Sequence, residues 1–157
     1  MEGFFVRARL ESMKIEIKTN VEQDYKTVSG SFKVDLFKKL KPPLVGLKVK
    51  RFDGCKKGDE VHIEINTLGI KQDWNALITG NGENENEVYF IDEGIKLPNF
   101  ISSWKHIHRI IKNGDSAIII DDINYRTPNF VLDILSYPVM YIQFYFRKPV
   151  YKSYFKK

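Results

Sequence analysis

The sequence predicts an α+β domain in which an antiparallel sheet closes over a long C-terminal helix, and three observations carry that reading. Alternating apolar and polar residues dominate the middle of the chain, turn signals separate these runs, and helical spacing is confined to one early stretch and the C-terminal end. Strands joined by short turns pair antiparallel, and helices segregated from strands define the α+β class. A one-sided sheet must bury its apolar face, and the C-terminal helix is the only element large enough to cover it.

Residues 1–12 hold only a short apolar patch, Phe4-Phe5-Val6, followed by Arg7 and Arg9. They read as an N-terminal extension, either an upstream start or an added remnant, and not as a secretory signal. A single domain is expected over 13–157. From Lys14, Ile15, Ile17 and Thr19 alternate with Lys14, Glu16 and Lys18, the pattern of a half-buried strand. Tyr25, Val28, Phe32, Leu36, Phe37 and Leu40 follow at helical spacing, interrupted by Ser29-Gly30-Ser31, so two short helices are expected. Pro42-Pro43 ends them.

Six strands are expected next, over 44–52, 60–68, 72–79, 87–92, 101–112 and 116–125. Asp53-Gly54, Lys57-Gly58, Gly80-Asn81-Gly82, Glu93-Gly94 and Asn113-Gly114 punctuate them. Thr127-Pro128 then starts a helix carrying Val131, Leu132, Leu135, Val139, Ile142 and Phe146, with a kink expected at Pro138.

Composition narrows the function classes. The 157 residues carry 25 Lys+Arg against 20 Asp+Glu, a formal net charge of +5. The basic residues are scattered, so a nucleic-acid partner is not expected. The interleaved tail from Arg147 to Lys157 reads as a solvated helix end rather than a stacking platform. One cysteine excludes an internal disulfide framework and a multi-cysteine zinc site, and suits a reducing cytoplasm. In its turn, Cys55 reads as incidental. The longest purely apolar run, Ala117-Ile118-Ile119-Ile120, is far too short to span a bilayer. No nucleotide loop, nucleophile elbow or H-E-x-x-H stretch occurs, so no cofactor is expected.

Asn113-Gly114 between two apolar runs signals a tight hairpin with both residues at positive φ. That turn sets Lys112 opposite Asp115 and hence His106 opposite Asp121, His108 opposite Ile119, Trp104 opposite Ile123 and Ser102 opposite Tyr125, all on one face. The other face carries Lys105 opposite Asp122. The inner stripe has three readings. His106 and Asp121 satisfy each other in the interior; or Trp104 and Tyr125 wall a cavity into which His106, His108 and Asp121 converge; or the two histidines bind a metal. The last is the weakest, because Asp121 is the only further ligand this register brings near, and no metal site is expected.

Phe90-Ile91-Asp92, Trp104-Lys105-His106-Ile107-His108 and Asp121-Asp122-Ile123-Asn124-Tyr125-Arg126-Thr127-Pro128 resemble, in order and spacing, the motifs of the SRPBCC (START-like) ligand-binding superfamily, in its bacterial polyketide cyclase/dehydrase-like branch. The resemblance implies a helix-grip fold: a seven-stranded antiparallel sheet wrapped around a long C-terminal helix, with two short helices after strand one. It further implies a hydrophobic cavity for a lipid, sterol or polyketide-like molecule. Trp74, Phe90, Asp92, Trp104, His106, His108, Asp121 and Tyr125 are the expected ligand-binding residues. Binding without catalysis is the leading expectation, and the alternative is a cyclase or dehydratase in which His106, oriented by Asp121, transfers protons.

Overall fold

The computed structural model describes residues 12–157. The expected N-terminal extension lies, apart from Ser12, outside them. The element order is β1 (Met13–Val21), α1 (Tyr25–Gly30), α2 (Val34–Lys39), β2 (Val45–Phe52), β3 (Glu60–Thr67), β4 (Ile70–Glu83), β5 (Glu87–Lys96), β6 (Ser103–Asn113), β7 (Ser116–Arg126), α3 (Phe130–Tyr145) and α4 (Arg147–Tyr154). The seven strands form one antiparallel sheet in the order β1-β7-β6-β5-β4-β3-β2. Because β1 pairs with the last strand, the whole chain is tied into the sheet before the final helices lie across it.

Local chemistry explains the helix boundaries. The Asp24 carboxylate accepts hydrogen bonds from the Lys26 and Thr27 amides and so caps α1. The Ser29-Gly30-Ser31 break falls where α1 ends. Asn129 caps α3 by accepting from the Leu132 amide at 3.0 Å, and the buried Asp133 carboxylate takes the Thr127 amide at 2.7 Å. The long C-terminal helix is bent, but the division between α3 and α4 lies at Phe146, and Pro138 stands inside α3. Among the described residues no helix is long and apolar enough to cross a membrane.

Three turn expectations need correction. Glu93-Gly94 is not a turn, because β5 continues through it to Lys96 with Glu93 paired to Leu77 and Lys105. Gly80-Asn81-Gly82 is not a turn: β4 runs through it, with a register shift between Ile78 and Gly80. Glycine is needed there for close approach, since a Cβ on Gly82 would come within 2.8 Å of the Tyr89 ring. In the β6–β7 hairpin the positive φ falls on Gly114 alone (60°), and Asn113 pairs with Ser116. The loop is therefore Gly114-Asp115, whose first residue only requires positive φ. Every pairing moves by two residues, so His108 faces Asp121, His106 faces Ile123 and Trp104 faces Tyr125. A shift of two preserves the faces. Lys105 consequently lies opposite Asn124, and Asp122 has Lys14 at 3.9 Å instead.

The concave face carries two apolar cores. One joins Val21, Ile78, Phe90, Ile110, Ala117 and Ile119 of the sheet to Val28 of α1, Leu36 of α2, Leu40 at the end of α2 and Tyr151 of α4. The other joins Ile15, Ile17, Trp104, Ile123 and Tyr125 to Met140 and Phe144 of α3. Between them a polar band crosses four strands: Thr19 on β1, Asp121 on β7, His106 and His108 on β6, and Asp92 on β5.

Candidate functional site

An apolar cavity of about 660 Å³ lies between β2–β6, α2 with the segment before it, and α3. Its walls include Phe32, Phe37, Ile63, Ile65, Trp74 and Phe90, and its floor is the polar band, where Asp92, His106 and His108 meet Arg147 from the start of α4. That volume is within the usual range for a site that encloses one small organic molecule. Its mouth is apolar: Leu68, Ile70, Leu135 and Val139 line it and are mostly exposed.

Six of the eight expected residues line this cavity, namely Trp74, Phe90, Asp92, Trp104, His106 and His108. Asp121 and Tyr125 do not. Tyr125 is fully buried under α3, with its hydroxyl 3.1 Å from Ser136 Oγ, and Asp121 lies behind His106 and Arg147. Period-two alternation placed both on the right face, but it says nothing of what covers them.

The band is tightly wired. His106 Nε2 is 2.9 Å from Asp121 Oδ1, a diagonal reach that restores the expected pair despite the moved register. Asp92 accepts from Trp104 Nε1–H at 2.9 Å through Oδ1, and its Oδ2 lies 2.7 Å from His108 Nε2 and 3.6 Å from His106 Nδ1. The two imidazoles lie against each other with centroids 3.6 Å apart, and Phe90 stacks on His108 at 4.2 Å. Trp74 meets Trp104 edge to face at 4.8 Å. Arg147 joins from above, with Nη1 3.4 Å from Asp121 Oδ1 and its guanidinium over the Phe144 ring at 4.3 Å.

Electrostatics follow from burial and wiring. Desolvation and the adjacent His106 drive His108 down to about 4 against the pull of Asp92, so its imidazole is neutral at pH 7. Desolvation raises Asp92 and Asp121, but hydrogen bonds from His108 and His106 respectively, with the surrounding positive charge, outweigh it and hold both below the ordinary carboxylate value. Both stay ionised. The half-buried Cys55 also lines the cavity; it donates to the Phe32 carbonyl at 3.4 Å, and burial pushes its thiol up to about 12. It is therefore a protonated wall residue and not a nucleophile.

Arg147 is the main member of the site that sequence reasoning missed. At a helix end a cation reads as a dipole partner, and only the bend at Phe146 turns it back over the band.

The fold is the helix-grip fold of START-like proteins, and solved structures share it. Ginseng major latex-like protein 151 from Panax ginseng matches with a TM-score of 0.59 and 16% identity, covering 86% of this chain and 93% of that one. A START superfamily protein from Mycobacterium smegmatis matches at 0.57 and 11% identity, over 87% and 97% of the two chains. The Zhui aromatase/cyclase from a Streptomyces species matches at 0.53 and 10% identity, over 75% and 70%. At these identities the likeness is one of fold. No protein-family model and no curated protein sequence matches the chain.

Proposed function

We propose that the chain binds one small, largely apolar molecule in the cavity between the sheet and α3, its polar end directed at the His106–His108–Asp92 floor. The observation that carries this reading is the cavity itself: about 660 Å³, walled by aromatic and aliphatic side chains, with a few polar groups gathered at one end. Lipid, sterol and polyketide-like molecules share that chemistry. The exposed apolar rim at Leu68, Ile70, Leu135 and Val139 suits entry of such a molecule. Protein purified from its own host and extracted under denaturing conditions is expected to release one apolar compound in near-stoichiometric amount, read by mass spectrometry. An extract matching the lipid background of an unrelated protein contradicts the proposal.

Proton-transfer catalysis has one observation in its favour, the His106–Asp121 hydrogen bond beside the cavity. Against it, the other ring nitrogen of His106 already has the Asp92 carboxylate 3.6 Å away. Binding without turnover is therefore the reading adopted.

A further inference from the structure

The polar floor holds three donors whose arrangement goes beyond a hydrogen-bonded network. The candidate metal-ligating atoms of Asp92, His106 and His108 all lie within 4.8 Å of one another. Two ligands each about 2.1 Å from one tetrahedral ion stand about 3.4 Å apart. The widest pair thus closes by about 1.4 Å at most, and the 2.7 Å contact between Asp92 Oδ2 and His108 Nε2 has to open.

We propose that Asp92, His106 and His108 form a binding site for a divalent first-row transition ion, with Asp92 Oδ2, His106 Nδ1 and His108 Nε2 as ligands and the open side toward the cavity. Two imidazoles and one carboxylate with free positions is a donor set that suits zinc or ferrous iron and disfavours calcium and magnesium. The proposal is independent of what fills the cavity.

The surroundings match what such a site requires. A ligating histidine normally gives its second N–H to a carboxylate, and His106 Nε2 has Asp121 Oδ1 at 2.9 Å on the side away from Asp92. That bond puts the proton on Nε2 and leaves the Nδ1 lone pair facing Asp92 Oδ2. Asp92 is itself oriented, its second oxygen held by Trp104 Nε1–H. Phe90 stacked on one imidazole and Phe144 edge-on to the other fix both rings. In the free protein His108 Nδ1 is buried without a hydrogen-bond partner. With Nε2 on an ion that nitrogen carries the proton, and Asp121 Oδ1, 4.0 Å away, is its nearest carboxylate. All three ligands line the cavity, so coordination positions left by the protein open into it.

The test uses the full chain, stripped with chelator and titrated with Co(II) and, by equilibrium dialysis, with Zn(II). One equivalent is expected to bind. The Co(II) form should show the visible bands of a low-coordinate N/O site and hyperfine-shifted N–H resonances from two imidazoles. H108Q and D92N should each lower affinity at least a hundredfold, and D121N, which touches the ion only through the histidines, about 10- to 100-fold with stoichiometry unchanged. H62Q is the control, because His62 and Glu60, 2.6 Å apart, form another histidine–carboxylate pair at a distance in sequence from the floor; it should bind as the parent does. The proposal is overturned if no ion binds, if the wild-type Co(II) spectrum shows no coordinated imidazole, or if binding is lost in H62Q and kept in H108Q. The wild-type spectrum decides the matter even where a variant fails to fold.

Discussion

The two edges of the sheet are built from the same kinds of residue and end in opposite states. On β1 and β7, Ile15, Ile119, Ile123 and Tyr125 are at most 1% exposed, packed under the helices. On β2 no residue is buried and on β3 only Ile63 is, although Leu47, Val61 and Ile65 point to the same concave side. The difference is what lies opposite. Helices α3 and α4 cross the β1–β7 edge and fill it, whereas the β2–β3 edge curls past them and leaves the cavity. The polar band runs along the boundary, where buried charge finds partners on one side and open volume on the other. Alternation in a strand thus specifies a face, while occupancy of that face is decided by the path of a distant helix.

Four expectations would break or sharpen this contrast. The largest concerns core truncation. Ile119→Ala or Ile123→Ala should cost about 2–5 kcal/mol in urea denaturation, because the removed atoms leave a void in a filled core. Ile65→Ala, which enlarges space already present, should cost about 1 kcal/mol or less. Equal losses at the two edges would mean that the cavity is filled in solution.

Next comes the boundary. Asp121→Asn should destabilise the domain by about 3 kcal/mol, since it leaves Arg147 without its buried counter-charge. Asp73, paired with Lys50 and Lys96 at the exposed outer surface, should show no comparable loss when replaced by Asn. A reversed order would show that the band does not carry buried charge.

A third expectation is a pH profile of the metal-free protein. The folded His108 takes up a proton only near 4, against 6.5 for an ordinary histidine. Between those values the unfolded chain binds a proton the folded chain refuses, so stability falls as pH drops through that interval. The full loss is on the order of 3 kcal/mol. Asp92 and Asp121, held low, add a further decline only below the ordinary carboxylate value. Chemical denaturation from pH 7 to 3.5 should show the first decline in the parent and not in His108→Gln. A flat parent profile from 6.5 to 4 would mean that His108 is hydrated.

The smallest effect is at the mouth. Leu68 sits at φ 53°, a left-handed conformation unfavourable to leucine, and is 95% exposed. Leu68→Asn should raise stability by about 0.5–1 kcal/mol, because asparagine tolerates that conformation, while slowing uptake of an apolar probe in stopped-flow fluorescence. Lower stability would show that Leu68 is packed, not strained.

The sequence made much of the fold legible and only part of the site. The strand faces, the two short helices and the covering helix all follow from periodicity and turn chemistry, and the motif from Phe90 to Pro128 pointed to the helix-grip arrangement. The β6–β7 register did not follow. Asn113-Gly114 and Gly114-Asp115 are both acceptable two-residue loops, and choosing between them needs the backbone angles. Asp92 stood in a motif without a register for β5 against β6, so its convergence on both histidines was invisible. Arg147 was hidden because no local signal marks the bend at Phe146.

Fluorescence energy transfer tests the central claim most directly. Both tryptophans of the chain, Trp74 and Trp104, line the cavity, so a probe bound there quenches all the tryptophan emission. Titration with 1-anilinonaphthalene-8-sulfonate should give a single saturable site at one probe per chain, with tryptophan emission transferred to the probe. Ala76→Phe, which adds bulk to the cavity wall, should weaken that binding at least tenfold while the fold is retained. Unsaturable binding, or equal affinity in the parent and the Ala76→Phe variant, would contradict the account.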